Sequence, residues 1–405
     1  MNVVHFGAGN IGRGLIGYIL SLNNCNICFF DVNNSAVDQL NNDKSYSIEI
    51  LNDPTNIVTI KNISALACGN ISDELINKFL DADLVTTSVG INNLSKIAPV
   101  LLQLINERVK ARKSIDIIAN ENAINASSLL ADEIKKLTAE SEFTQLNKYC
   151  SFVNSAIDRQ SLTAQHNGKP ITAVEPFFEW VINNSELLNK DLLNLQSVKF
   201  VPELKPYIEK KLYIVNLGHC AAAYLGQFVG KSTILDTLMI PSFKAFIRET
   251  MKQSATYLTK QYSFSNDELL DYIDNTLARF SNPHLVDAVT RVGGSPIRKL
   301  GNNERIIGPL QQLYRHNLPY QHLVVIAALA LCFDVKEDEQ SQKIQSMIRE
   351  NKIEDIIRQL TGLTEDTLVN DIAQKYLDLK NLVASNQQLN GNLTDAITSF
   401  LNIEG

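Results

Sequence analysis

The 405-residue chain is 45% hydrophobic and 20% charged, with a formal net charge of −7 at neutral pH. That balance supplies no general basic surface for nucleic acid or a membrane, and the apolar content is enough for more than one core, so two domains are the default. The longest apolar run, Leu323 to Phe333, is shorter than the about 20 residues a bilayer span needs and reads as a buried helix.

Met1 leads straight into the apolar pair Val3-Val4, which leaves no room for a secretory signal, so the expected location is cytoplasmic. His5-Phe6-Gly7-Ala8-Gly9-Asn10-Ile11-Gly12-Arg13-Gly14 follows. Glycines in this spacing suit a dinucleotide site: Gly7 makes the tight turn out of the first strand, Gly9 lets backbone approach a pyrophosphate, and Gly12 lets the next helix pack closely on the sheet. The pyrophosphate then rests at a helix N-terminus, where unpaired N–H groups and the dipole favour an anion. Ala8, Asn10 and Ile11 complete the candidate cofactor turn.

The segment from Ile11 to Leu20 has helical apolar spacing, and a second apolar run, Ile27 to Phe30, ends in Asp31. An acid at that strand tip accepts hydrogen bonds from both ribose hydroxyls and repels a 2′-phosphate, so NAD is expected over NADP. Cys25 and Cys28 form a C-x-x-C pair with no second pair or nearby histidine, so neither zinc nor redox chemistry is expected there.

Asp83 to Gly90 and Ile115 to Ala119 read as buried parallel strands. Their carboxyl ends place Gly90 and the Asn120-Glu121-Asn122 segment toward the nicotinamide. Phe152 to Ile157 and Ile171 to Phe178 read as further strands extending the same sheet. The expected fold class is α/β, an extended Rossmann-type doubly wound sheet over 1–200, followed by an all-helical substrate domain over 201–405.

From about Pro202 helical patterns dominate, through Ser242 to Gln261, Asn266 to Arg279, Leu318 to Phe333 and Ser341 to Ala384. The exception is Asn282 to Pro309, whose three prolines and four glycines read as a long ordered loop. At 100° per residue, Lys211, Asn216 and His219 fall within an arc of about 140° over about 12 Å of helix. Oxidation of an alcohol by hydride transfer needs a base for the hydroxyl proton and donors for the charged oxygen. A lysine with its pKa lowered beside a cationic nicotinamide suits the first task, and the amide and imidazole suit the second. On spacing alone the stronger reading of the same three residues is the wet face of an amphipathic helix.

The chain resembles the polyol-specific long-chain dehydrogenase/reductase family through His5 to Gly14, Asp83 to Gly90, Asn120 to Asn122, Asn154 to Arg159 and Lys211 to His219. The likeness continues in Arg279 to Pro283, Arg291-Val292 and Pro296 to Leu300, and spans roughly residues 1–380. The resemblance implies a metal-independent, NAD-linked interconversion of D-mannitol 1-phosphate and D-fructose 6-phosphate, with the site in the cleft between a Rossmann domain and a helical one. It makes Lys211 the general base, Asn122 and Asn216 the oxyanion donors, His219 a substrate-orienting group, and places Asp158 near the reacting centre. It leans toward a monomer with a small-molecule substrate, while the acidic charge balance is what argues against a nucleic-acid or membrane partner. The chain departs from the family at Gln160-Ser161-Leu162, where Ile-x-Pro often follows the Asp-Arg pair, and in carrying Glu304 before Arg305.

Arg291, Arg298, Lys299 and Arg305 are the candidates for holding a phosphate, because forked guanidinium groups suit a phosphate monoester. The competing assignment is to solvated or paired surface charges. Beyond about Leu382, Leu393, Ile397 and Leu401 have helical spacing, which fits a packed helix or a frayed end. Two rival functions stay open: a hexuronate reductase sharing the lysine-asparagine-histidine helix, and a non-catalytic NAD-responsive binding protein.

Overall fold

A computed structural model describes residues 1–51, 56–284, 287–388 and 392–404, the side chains of 402–404 excepted. The chain divides into two compact units, Met1–Ile208 and Glu209–Gly405.

The first unit is built on a six-stranded sheet in the order Ile63–Ala67, Asn26–Asp31, Asn2–Phe6, Leu84–Thr87, Ile115–Ala119, Cys150–Phe152, with every neighbouring pair parallel. Leu84–Thr87 and Ile115–Ala119 are buried at every position, as parallel strands covered on both faces are, and the buried Asp116 among them accepts from Leu188 N and Asn189 N. The chain order reverses between Asn2–Phe6 and Leu84–Thr87. At such a switch point the two flanking connections run to opposite faces and leave a crevice at the strands' carboxyl ends.

The strands expected to extend this sheet do so only in Cys150–Phe152. Ser155–Asp158 joins Glu179–Asn183 and Lys199–Val201 in a three-stranded sheet. Lys169–Val174 joins Ser161–His166, Tyr46–Ile50 and Ile57–Ile60 in a four-stranded one. Lys169–Val174 pairs antiparallel with its hairpin neighbour Ser161–His166 and parallel with the remote Tyr46–Ile50, while Ser155–Asp158 pairs antiparallel with Glu179–Asn183, and period-2 patterning does not identify such partners. The Gln160-Ser161-Leu162 departure falls at the start of a regular strand, with Gln160 N donating to Glu175 Oε1 at 2.6 Å.

The second unit is helical around one core. Its centre is Gln321–Leu331, where every residue from Leu323 onward is buried, against Asp366–Gln388 and Leu217–Phe228. Each fully buried Leu or Ile contributes about 1.5–3 kcal/mol relative to exposure. The segment expected as a long loop carries the short helices Val289–Gly293 and Pro296–Lys299 and the start of Ile307–Arg315. Pro296 opens its helix, where the missing N–H costs nothing. Gly293 and Gly308 are small for packing: a Cβ would lie 2.6 Å from the Phe333 ring and 2.8 Å from the Tyr213 hydroxyl. The tail is a packed helix, Leu393–Glu404, with Ile397 and Leu401 in the core and Thr398 bonded to Ser242. Among the described residues no helix is long and apolar enough to cross a membrane. All six cysteines are unpaired, and burial raises the thiol pKa of both Cys25 and Cys28.

Candidate active site

The first unit contributes a glycine-cornered turn. Gly7 has φ +96°, a conformation L side chains rarely adopt, and its N–H donates to Phe30 O at 2.9 Å. A Cβ at Gly12 would run into the Gly7 carbonyl and lie 2.7 Å from His5 Nε2, whereas a Cβ at Gly9 meets nothing within 4 Å. The turn is therefore closed on its packing side and open over Gly9. Ala8 N donates to Asp31 Oδ2 at 2.7 Å and Asn33 N to Oδ1 at 2.8 Å, so the carboxylate is aimed by two amides and keeps lone pairs for a ligand.

Under the turn lies a fully buried histidine. His5 Nδ1 is 2.6 Å from Thr86 Oγ1 and Nε2 is 2.8 Å from Ser88 Oγ, tying the first strand to its neighbour. Burial pushes its pKa down to about 3, so the ring is neutral. The helix after the turn is π-helical over Gly12–Gly17. This wider turn leaves carbonyls short of their usual partners. Tyr46 Oη donates to Arg13 O at 3.0 Å, and Arg159 donates to Gly14 O at 2.7 Å. Arg159 is buried between the rings of Tyr18 and Phe178, and Nε donates to Glu175 O. Neither Tyr46 nor Arg159 could be placed here from sequence spacing. Asn10 turns its side chain to Thr163 and Thr172, and Ile11 packs on the core.

At the carboxyl ends of the next two strands, Glu121 is buried and accepts from Thr87 Oγ1 at 3.0 Å, Val89 N at 2.8 Å and Gly90 N at 2.9 Å. Burial raises its pKa against the pull of these three bonds. It fixes the turn in which Gly90 has φ +88°. Asn120 is buried and accepts from Ser155 Oγ at 2.8 Å. Of the expected trio only Asn122 is exposed. Asp158 is buried at the end of Ser155–Asp158, in a different sheet.

The second unit contributes the lysine helix. Lys211–Asn216 is π-helical and continues as the α-helix Leu217–Phe228. Across 211–226 only Lys211, Asn216 and His219 are not buried. An ordinary wet face would be broader and include solvated neighbours. Hydrogen bonding from i to i+5 places Asn216 about one turn from Lys211. This narrows the three from the α-helical arc to under about 90°.

His219 Nε2 lies 3.1 Å from Asp287 Oδ2, and its ring stacks on Phe280. Asp287 Oδ1 accepts from Arg291, which links one phosphate candidate to the histidine. Arg298 and Arg305 both engage Glu304, at 3.5 and 3.1 Å. Lys299 is buried, donates to Gly294 O, and is drawn down to about pKa 8 by that burial. Lys299 is thus directed at backbone, while the Arg291 and Arg298 side chains are 66% and 50% exposed. Among the described residues no cluster of His, Cys, Asp and Glu is arranged to hold a metal ion.

A Rossmann-type unit followed by a helical one is the architecture of the mannitol dehydrogenases, and the chain belongs to that family. Residues 1–196 match the mannitol dehydrogenase Rossmann domain and 203–380 the mannitol dehydrogenase C-terminal domain. More particularly, the mannitol-1-phosphate 5-dehydrogenase of Enterococcus faecalis is 37% identical over 92% of this chain and 97% of its own length. That of Caldanaerobacter subterraneus subsp. tengcongensis is 36% identical over 94% and 99%. In fold the chain is similar to Pseudomonas fluorescens mannitol 2-dehydrogenase, solved with NAD and D-mannitol, with TM-score 0.75 and 16% identity over 99% of this chain and 94% of that one.

Proposed function

We propose that the chain is an NAD-dependent dehydrogenase that interconverts D-mannitol 1-phosphate and D-fructose 6-phosphate. The observation that carries this reading is the Lys211, Asn216 and His219 face, the only non-buried positions across 211–226. The near full-length similarity to mannitol-1-phosphate 5-dehydrogenases supports the substrate.

The first unit fits NAD. Gly7, Ala8, Gly9, Asn10, Ile11 and Gly12 would hold the pyrophosphate, with open space over Gly9, and Asp31 would take the adenosine ribose. Gly90 and Asn122 would border the nicotinamide. When bound, NAD supplies the acceptor for the hydride that leaves the carbinol carbon. Lys211 takes the hydroxyl proton as general base, and returns it to the ketone oxygen in reduction. Asn216 and Asn122 donate to the oxygen as negative charge develops. Asp158 and His219 orient substrate, and Arg291, Arg298 and Lys299 supply positive charge for the phosphate. The reading places the enzyme in the cytosol as a monomer, where its six unpaired thiols stay reduced.

Asp31→Ala removes the repulsion against a 2′-phosphate and the ribose hydrogen bonds. The NAD over NADP preference in kcat/KM is expected to fall by about 10-fold or more, since hydrogen bonds to a charged group are worth about 1.5–3 kcal/mol. An unchanged preference would remove Asp31 from that role.

The direct test is NADH oxidation by the purified protein with fructose 6-phosphate, beside free fructose, fructuronate, NADPH and a chelator-treated sample. Turnover confined to the phosphorylated sugar with NADH, unaffected by chelator, is the expected result. Turnover on fructuronate would keep the lysine chemistry and replace the substrate. NAD binding without turnover would favour a sensor.

A further inference from the structure

His219 is held by more than its place on the helix. Its Nε2 is 3.1 Å from Asp287 Oδ2, and its ring lies on Phe280 with centroids 4.5 Å apart and planes 16° from parallel. Asp287 is fixed in turn. Its carbonyl accepts from Ile234 N at 2.9 Å, Ala288 bridges to Thr233, and Oδ1 accepts from Arg291.

The charged groups acting on the imidazole are Asp287, Arg291 and Arg305. Burial lowers the His219 pKa, Asp287 opposes that, and the two arginines reinforce it, so the ring is neutral at neutral pH. Burial would raise the Asp287 carboxyl, but its bond to His219 and the Arg291 charge outweigh burial and hold it below the usual range. A neutral imidazole against an ionised carboxylate puts its single proton on the nitrogen that faces the carboxylate. Nε2 then donates and Nδ1 keeps a lone pair.

We propose that Asp287 is a positioning residue that locks His219 as the Nε2–H tautomer, so that Nδ1 meets the substrate as a hydrogen-bond acceptor and reads a hydroxyl beside the reacting carbon. The proposal rests on the dehydrogenase reading above. It reverses the expectation that the imidazole shares in holding the oxyanion, because a lone pair repels developing negative charge. The donors left for that oxygen are Lys211, Asn216 and Asn122. It also makes His219 a specificity device: an acceptor placed for a hydroxyl is left unpaired by an analogue that lacks one.

Asp287→Asn tests this. Arg291 only donates, so it claims the amide oxygen, and the amide NH2 turns to Nε2 and forces the proton to Nδ1. Two readouts are needed. The first is the 15N signature of the His219 ring in histidine-labelled protein, assigned by its disappearance in His219→Gln. The second is KM for fructose 6-phosphate measured beside kcat and the Kd for NADH.

The expected result is a wild-type ring protonated at Nε2, and an Asp287→Asn ring protonated at Nδ1. KM should rise about 10- to 100-fold with the NADH Kd unchanged. Asp287→Glu, which keeps a carboxylate, should restore both the tautomer and most of the KM. A wild-type ring protonated at Nδ1, or an Asp287→Asn variant with unaltered tautomer and KM, overturns the proposal. A wild-type protein that binds NADH and turns over no sugar phosphate overturns the dehydrogenase reading and the substrate half of the proposal. The 15N result still decides the tautomer half.

Discussion

Lys211→Ala is expected to lower kcat for fructose 6-phosphate reduction by about 10²- to 10⁴-fold, the range in which a positioned acid or base contributes. The NADH Kd should stay as in the parent, because the turn that would hold the dinucleotide lies wholly in the first unit. The sign of the pH dependence checks the role independently. Oxidation needs the lysine as a neutral amine, so its rate rises with pH up to the lysine pKa. Reduction needs the ammonium, so its rate falls over the same range. Both limbs should vanish together in Lys211→Ala. A variant that loses rate but keeps the two opposed limbs would assign the base to another group. Neighbouring packing gives no reason to expect collapse, since Lys211 is one of three non-buried positions across 211–226. Thermal unfolding should be near the parent's.

The glycine turn was legible because its glycines occupy distinct local environments. Gly7 sits at positive φ, Gly12 has no room for a Cβ, and Gly9 borders open space. What sequence could not show is how the turn is held. His5 reaches Thr86 and Ser88 more than 80 residues away, and Arg159 reaches Gly14 from 145 residues away. Spacing along one helix or strand carries no trace of such partners.

The lysine helix was legible in composition but not in shape. Ideal α-helical spacing gives Lys211, Asn216 and His219 an arc of about 140°, and the π-helical stretch that narrows it has no reliable sequence signal. Asp287 and Phe280 were invisible as partners of His219 for the same reason as Arg159: they arrive from another part of the chain. The glycine and proline content of 282–309 was misleading because it reports two things at once. Pro296 starts a helix and Gly293 and Gly308 make room for aromatic rings, so a composition typical of loops here builds short packed helices.

A pair of alanine substitutions in the glycine turn should separate packing from binding. Gly12→Ala places a methyl against the Gly7 carbonyl, 2.7 Å from His5 Nε2 and 2.9 Å from Ser88 Oγ. None of these can yield easily. Gly7 is held at φ +96°, and His5 is fully buried between two hydroxyls. Overpacking of this kind costs about 1–3 kcal/mol, and for a unit of this size each kcal/mol lowers Tm by about 2–4 °C. The helix N-terminus is displaced with it, so the NADH Kd should rise as Tm falls. Gly9→Ala meets nothing within 4 Å in the protein itself. Tm should therefore stay within about 1–2 °C of the parent, since surface changes away from packed features usually remain within about 0.5 kcal/mol. Its methyl instead occupies the space assigned to the pyrophosphate, so NADH binding should weaken by an order of magnitude or more. Thermal unfolding of the two variants with and without NADH reads both effects. If Gly9→Ala bound NADH as well as the parent, the open face of the turn would not be where the dinucleotide lies. If Gly12→Ala kept the parental Tm, the close approach of helix to turn would not be what that glycine is for.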